Sequence, residues 1–442
     1  MNSIEGIILD INKRASYNLI TFIISKFISN LGSSTYSFGI SLYVLSITGS
    51  ATNFAINFLC SSLPRILLAP ISGYIADKYS KRIIVLFSQT MSIIIVFSLL
   101  LLSMSGAFSI LAIYITTTLL AITSLFNSVA FSSSIMCIVD KERIQKALSL
   151  QKTSTSLASI IGPILGGILY ASFELNLFLI IFLVCYTIAV ILESTIHFTL
   201  FIQQQTNKGN IVHKSMFKEI SKGFVYLKST DLIFSLVSIS IIVSFFFTSI
   251  QVGMPYIMVN LLNLSSYKYG MIQSSFAIGM ILTSIYLSFQ KEFLYPFVTA
   301  KKALLFTTSL FALIVLPMYF SLSQSILLTY YIIWALMLGG SLILMNTPIE
   351  VKLVKLIEEE YRGRVIGLVD TFSSALMPVG IILYGYLFDT VGAKTVMLST
   401  SFISFFSVIY LLRKSILLKA HPDYSSQKVN AKNGRKTRVL GG

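Results

Sequence analysis

The chain has 442 residues, of which 55% are hydrophobic and 11% are charged, and its mean hydropathy is +0.83. Soluble globular proteins carry about 25% charged residues, so this composition excludes a soluble globular protein. The formal net charge of +16 would suit a nucleic-acid-binding protein, but the placement of the basic residues argues against that class.

Twelve apolar stretches of about bilayer length follow one another along the chain. Backbone polar groups inside hydrocarbon must bond to one another, and segments this long do so as helices rather than as barrel strands. The sequence therefore predicts an all-α polytopic membrane protein with twelve transmembrane helices. The predicted spans are residues 17–46, 51–76, 83–104, 106–132, 154–171, 175–200, 231–262, 268–290, 301–321, 324–348, 365–388 and 395–415.

The longest interruption divides the spans six and six, which predicts two helical bundles. An internal repeat supports this division, because Gly162 and Gly167 align with Gly380 and Gly385 when the two halves are superposed in sequence. Paired bundles suit alternating access, in which a site between them opens to either side. The predicted segments are a cytoplasmic N-terminal lead (1–16), the first bundle (17–200), a cytoplasmic central loop (201–230), the second bundle (231–415) and a basic, disordered cytoplasmic tail (416–442).

The basic residues are divided unevenly between alternate loops. If the N-terminus is cytoplasmic, all but four of the 33 Lys and Arg residues lie in cytoplasmic loops and tails. Two of the exceptions, Lys268 and Lys394, lie in outer loops, and Lys26 and Arg65 lie within spans. Since cytoplasmic loops are enriched in Lys and Arg, we expect both termini in the cytoplasm and no nucleic-acid partner.

The connection between the second and third spans carries a charged motif. Lys78, Lys81 and Arg82 favour a cytoplasmic turn. Asp77 then lies at the membrane boundary, where it can accept hydrogen bonds or face the N-terminus of a neighbouring helix. Gly73, one turn earlier, allows another helix to approach closely. The alternative interpretation is an ordinary hairpin with a basic cytoplasmic turn.

A second motif lies in the fifth span and consists of Gly162, Pro163, Gly166 and Gly167. It combines small residues on one helix face with a proline kink. Such a segment can form a close, bendable contact between the two halves, or it can serve tight packing alone. Both interpretations stay open at this point.

Polar side chains recur at helical spacing within several spans. A cation inside the membrane costs about 2.5–3.5 kcal/mol on insertion scales, so it should face a water-filled cavity or a counter-charge. These side chains either line a central cavity and contact substrate or pair with each other. The candidates are Lys26, Asn30, Asn53, Asn57, Arg65, Asn127 and Gln251.

Acidic residues in or near the spans are few. Coupling to a proton gradient requires a group whose charge changes between two states, and Glu193 and Asp370 are the candidates. Each could instead be solvated at the membrane boundary or held in a salt bridge. No acid lies deep in the first or fourth span, so the coupling ion stays open.

Residues 73–82 resemble the Gly-x-x-x-Asp-Arg/Lys-x-Gly-Arg/Lys-Arg/Lys motif between helices two and three of the major facilitator superfamily, with Ser80 replacing the second glycine. Residues 162–167 are similar to the Gly-Pro-x-x-Gly-Gly motif in helix five of exporters. With Thr48-Gly49-Ser50, they look most like the macrolide-efflux-type branch, which is linked to multidrug or macrolide resistance. The resemblance implies export of antibiotic-like or siderophore-like amphipathic molecules across the bacterial cytoplasmic membrane, normally by proton antiport.

We further expect Asp77 to latch the inner gate against the start of helix eleven, near Arg364 and Val365. The expected partners are a small-molecule substrate, a coupling ion (the proton) and membrane lipids, and the chain is expected to be monomeric. Without a Walker loop, a nucleophile motif or metal-ligand spacing in the sequence, we expect no enzyme activity, no cofactor and no metal. Nutrient import, and a non-transporting membrane sensor or scaffold, are the alternatives.

Overall fold

The computed structural model describes residues 2–106, 108–201, 231–290, 293–357, 369, 371 and 376–413. Regular structure in these residues is helical, and they contain no β-strand. The predicted fold class, an all-α polytopic membrane protein, is confirmed.

Six long helices make up the first half of the chain. They are α1 (Asn2–Thr48), α2 (Ala51–Lys78), α3 (Lys81–Met104), α4 (Ile110–Ser133), α5 (Ile144–Ser172) and α6 (Leu175–Ser194). Helix α2 begins at its N-cap Ser50, whose side chain accepts a hydrogen bond from the Asn53 N–H, and Ser109 caps α4 in the same way. These caps satisfy backbone donors that the first helical turn leaves unpaired.

Six further long helices lie in the described residues of the second half. They are α7 (Asp231–Pro255), α8 (Ser266–Phe289), α9 (Pro296–Leu313), α10 (Gln324–Leu356), α11 (Met377–Thr390) and α12 (Ala393–Leu411). Helix α7 continues into a π-helical segment, Tyr256–Leu261. The twelve helices follow the twelve predicted spans in order.

Ten helices in the described residues are long and apolar enough to cross a membrane. Of the predicted spans, the first and the eleventh do not meet this criterion. Helix α1 is long enough, but polar side chains such as Lys26 and Asn30 lower its hydropathy. Helix α11 is described only from Met377, which leaves 14 residues.

The predicted N-terminal lead and the first span form one continuous helix. Helix α1 begins at Asn2, whereas the span was predicted from residue 17. Residues 7–31 contain neither glycine nor proline, so nothing in this part of the sequence favours a helix end.

The described helices form two compact units. Unit 1 is built from the described residues within Met1–Gly209, Pro255–Ala277 and Ile381–Asp389, and unit 2 from those within Asn210–Met254, Ile278–Gly380 and Thr390–Gly442. Unit 1 thus includes the last residue of α7, the first half of α8 and most of α11. The division into bundles at 201–230 stays a prediction.

Within unit 1, the glycines of α5 lie against backbone atoms of two other helices. A Cβ added to Gly166 would lie 2.9 Å from the Thr35 carbonyl oxygen on α1. One added to Gly162 would collide with Ser34, and one added to Gly167 with the Ser266 carbonyl at the start of α8. In this conformation the fifth-span motif packs closely against α1 and the start of α8, which small residues permit, and its part in transport stays a prediction.

We predict that Gly167→Ala lowers the melting temperature of the protein. The added methyl group meets backbone atoms that cannot turn away, and such overpacking costs about 1–3 kcal/mol. For a chain of 442 residues, an unfolding entropy of about 2.1 cal/mol/K per residue gives a fall of about 1 °C for each kcal/mol. Gly73→Ala is the matched control, because no described residue lies within 4 Å of a Cβ at Gly73. Thermal unfolding followed by size-exclusion chromatography measures both, and equal melting temperatures would contradict the prediction.

Candidate functional site

Two oppositely charged side chains lie buried inside unit 1. Lys26 on α1 is 4% exposed, and Glu193 in the last turn of α6 is 0% exposed. They are close enough for each to experience the charge of the other. The sequence singled out both residues, but only folding brings them together. Lys26 therefore meets a counter-charge, which was one of its two predicted environments.

The Glu193 carboxylate has one satisfied and one unsatisfied oxygen. Its Oε1 accepts a hydrogen bond of 3.1 Å from the Ser25 hydroxyl on α1. Its Oε2 is buried and has no partner within 3.5 Å among the described residues, and the Asn127 side chain is the nearby group that can approach the carboxylate. A buried carboxylate oxygen without a partner is costly while it is charged. This oxygen is therefore the natural position for a proton.

The ammonium group of Lys26 rests on an aromatic pair rather than in a direct ion pair. Its Nζ lies 5.5 Å from the centre of the Phe131 ring, which stacks on Phe22 at 4.4 Å. A desolvated cation–π contact contributes about 2 kcal/mol. This contact helps to keep a cation inside the bundle close to Glu193.

Several predicted cavity residues form hydrogen bonds between helices of unit 1. Asn57 donates to the Ser41 hydroxyl at 3.0 Å and accepts from Thr117 at 3.0 Å, which joins α1, α2 and α4. Asn53 accepts from the Tyr114 hydroxyl at 3.0 Å. In this conformation both amides serve helix pairing, the second of the two predicted roles.

The other two predicted asparagines of unit 1 also bond to neighbouring helices. Asn30 donates to the Thr155 hydroxyl at 3.1 Å. Asn127 is buried and donates to the Val85 carbonyl at 3.4 Å. Their amide groups hold α1 to α5 and α4 to α3.

Arg65 and Gln251 have different surroundings from the asparagines. Arg65 lies near the middle of α2, and its side chain is exposed. An exposed arginine at this depth has to face water rather than hydrocarbon. Gln251 on α7, in unit 2, has a buried Oε1 without a hydrogen-bond partner among the described residues. A role for these two side chains in binding a substrate stays a prediction.

The charged motif between α2 and α3 forms a tight hairpin, with only Tyr79 and Ser80 between the two helices. Lys81 donates to the Ser133 carbonyl at the end of α4 at 2.9 Å, and Arg82 donates to the Ser194 carbonyl at the end of α6 at 3.3 Å. Cations are favoured at helix C-termini. Because Ser194 adjoins Glu193, the hairpin is connected to the buried acid through one residue.

The remaining residues of this motif make few contacts in the described part of the chain. Lys78 lies over the rings of Tyr74 and Tyr79, 5.7 Å from each centre. Asp77 is exposed, and Gly73 has nothing packed against it. The partners predicted for Asp77, Arg364 and Val365, lie outside the described residues. The inner latch therefore stays a prediction. Asp370, the second coupling candidate, also lies outside the described residues.

Sequence reasoning missed one acid that makes three hydrogen bonds in unit 1. Asp389, near the end of α11, accepts from the Ser50 hydroxyl at 2.6 Å and from the N–H groups of Ala51 and Thr52 at 2.8 and 2.9 Å. Asn260 donates to the adjoining Gly49 carbonyl at 2.8 Å. The position of Asp389 just beyond a predicted span was the only signal in the sequence that could have pointed to it. Its partners at the start of α2 are more than 300 residues away in sequence, so the sequence did not indicate the contact.

Solved transporters of the major facilitator class share this fold. A bacterial homologue of the iron transporter ferroportin, in an inward-facing state, matches with a TM-score of 0.67 and 14% identity over 89% of this chain and 98% of that chain. A variant of the peptide transporter POT matches with a TM-score of 0.67 and 12% identity over 91% and 97%. The fold is therefore that of major facilitator transporters.

Sequence comparison places the chain within this class. The sequence model described as transmembrane secretion effector matches residues 16–434, so the chain belongs to that family. Macrolide efflux protein A of Streptococcus pyogenes is 23% identical over 372 residues, which are 83% of this chain and 88% of that protein. The staphyloferrin A transporter of Staphylococcus aureus is 28% identical over 178 residues, 40% of this chain and 45% of that protein. The predicted superfamily is confirmed.

We predict that Asp389→Ala exposes the start of α2. Each lost hydrogen bond to a charged group contributes about 1.5–3 kcal/mol, so losing even one raises the open fraction about tenfold or more. The measurement is the maleimide-labelling rate of Ala51→Cys, a fully buried position, in nanodiscs and in a background where Cys60, Cys137 and Cys185 are serine. Glu174→Ala, which removes an exposed acid, should leave the rate unchanged. An unchanged rate in Asp389→Ala would refute the prediction.

Proposed function

We propose that this protein exports amphipathic small molecules, of antibiotic or siderophore type, across the bacterial cytoplasmic membrane by alternating access. The proposal is supported by the family description and by relatives named for macrolide efflux and staphyloferrin A transport. The excess of Lys and Arg in alternate loops supports an orientation with both termini in the cytoplasm.

The proposed driving force is proton antiport through Glu193, and the single observation that carries it is the buried, unpartnered Oε2. Protonation forms one O–H bond at this oxygen and breaks none within the protein. With Lys26 charged, the net charge of the pair then rises from zero to plus one. A change of charge in a buried site shifts the balance between two conformations if they solvate the site differently.

The hairpin after α2 offers a route from the proton to the inner gate. Arg82 bonds to the carbonyl of Ser194, the residue after Glu193, and Lys81 bonds to the end of α4. A shift of the last turn of α6 on protonation would therefore be transmitted to the hairpin that carries Asp77. We propose that Asp77 closes the gate at the start of helix eleven when the transporter faces outward.

The proposed substrate carries a carboxylate or another anionic group. Arg65 is exposed near the middle of α2 and offers a paired donor geometry for such a group. Lys26, the other cation within the spans, is buried against Phe131 and Glu193 in this conformation. We therefore assign recognition of the substrate to Arg65 and coupling to Lys26 with Glu193.

The direction of transport can be measured in everted membrane vesicles. We expect these vesicles to accumulate an anionic, siderophore-like substrate when a proton gradient, acidic inside, is imposed. An uncoupler should abolish the accumulation, because no other energy source is present. Accumulation by whole cells but not by everted vesicles would instead establish import, the alternative function. Vesicles bearing Arg65→Ala should lose uptake of the anionic substrate.

We predict that Glu193→Gln separates binding from coupling. Glutamine keeps the shape of the side chain but cannot change its charge, so accumulation driven by a pH gradient should fall to the level of vesicles without transporter. Substrate counterflow at equal pH on both sides should continue, because it requires no net proton movement.

Glu174→Gln is the matched control, since it makes the same chemical change at an exposed residue flanking the other end of α6. It should retain both activities. If Glu193→Gln keeps gradient-driven accumulation, or if a correctly inserted variant loses counterflow as well, Glu193 is not the coupling group.

A further inference from the structure

A groove of about 730 Å³ lies on unit 2 between α8, α9 and α10. Its volume falls within the range of small-molecule binding sites, about 300–1,000 Å³. None of the described residues that line this groove is acidic. It is separate from Lys26, Glu193 and the hairpin, all of which belong to unit 1.

Two glycines create the groove where α8 and α10 cross. A Cβ on Gly279 would collide with the Leu336 carbonyl, and one on Gly340 would lie 2.6 Å from the Thr283 hydroxyl. The two backbones therefore touch at this point. Both glycines also line the groove, which lies beside this contact.

The lining of the groove changes from apolar to hydrogen-bond-donating along its length. Leu282, Phe306 and Met337 are 57%, 47% and 49% exposed and form the apolar part. Lys302 lies six residues after the start of α9, and Tyr286 lies three residues before the end of α8. Because α9 follows α8 in the chain, the end of α8 and the start of α9 lie on the same side of the membrane, and so do these two donors. The groove thus has a cationic mouth and an apolar interior.

We propose that this groove binds one phospholipid with an anionic headgroup. The exposed apolar side chains of a membrane-spanning helix face hydrocarbon, so an acyl chain would follow Leu282, Phe306 and Met337. The phosphate oxygens would accept hydrogen bonds from the Lys302 ammonium group and the Tyr286 hydroxyl. Tyrosine and lysine are the side chains that anchor at headgroup level. This inference rests on the membrane location and does not depend on the direction or coupling of transport.

The test uses the full-length protein in micelles with equal amounts of phosphatidylglycerol and phosphatidylcholine of identical acyl chains. Native mass spectrometry counts the lipids that are retained. We expect phosphatidylglycerol to be retained about fivefold over phosphatidylcholine, the factor for one lysine near an anionic lipid. Lys302→Gln should remove this preference. Lys394→Gln, which removes a cation that lies over the Tyr319 ring, should keep it.

A second pair of variants tests the apolar part. Met337→Trp fills the groove and should lower the retention of lipid. Ile333→Trp makes the same kind of change one turn away on α10, at a residue that is also 49% exposed but does not line the groove. It should leave retention unchanged. Size-exclusion chromatography establishes that each variant is monodisperse.

Equal retention of the two lipids, or an unchanged preference in Lys302→Gln, would overturn the proposal. So would a photoactivatable phosphatidylglycerol that labels the peptides of α8, α9 and α10 no more than the other helices. A disulfide between two chains carrying Met337→Cys would show that the groove contacts a second copy instead. Retention of a transported substrate in place of phospholipid would assign the groove to substrate entry.

Discussion

Polar groups inside hydrocarbon must find partners within the protein, and this constraint organises the described helices. Asn57 bonds at both ends of its amide, Ser401 donates to the Thr308 carbonyl, and the single tryptophan, Trp334, donates to the Leu310 carbonyl. The Glu193 carboxylate departs from this pattern because only one of its oxygens is satisfied. Because the ionised form of this buried carboxylate is incompletely hydrogen-bonded, the site is suited to bind a proton.

Unit 1 connects this carboxylate to the surface through the end of α6. Glu193 lies one residue before Ser194, which receives Arg82, and two residues before Thr195, whose carbonyl receives Arg14 at 2.9 Å. Two cations thus hold the same helix end, where the aligned peptide dipoles favour positive charge. The buried acid and the charged hairpin therefore belong to one connected group of residues, although the sequence presents them as unrelated features.

The sequence predicted the class and order of the helices because bilayer length and apolar composition leave few alternatives. It also placed a cation in α1 and an acid in α6, but it could not pair them. Ser25 and Glu193 are 168 positions apart, and the rotation of each helix about its own axis decides which side chains meet. Asp389 was missed for a similar reason. Its position beyond a span suggested a carboxylate in contact with water, and only the folded structure shows its hydrogen bonds to the start of α2.

The glycine contacts of α5 also restrict how the helices can move. Where Gly162 and Gly166 receive Ser34 and Thr35, the two helix surfaces interlock, so translation of α1 along α5 would force side chains against backbone. Tilting about the contact meets less resistance, because the glycines add no bulk on either side. Interlocked interfaces of this kind change between discrete arrangements rather than deforming continuously. The glycine contact therefore favours a change in the crossing angle of α1 and α5 over sliding of one helix along the other.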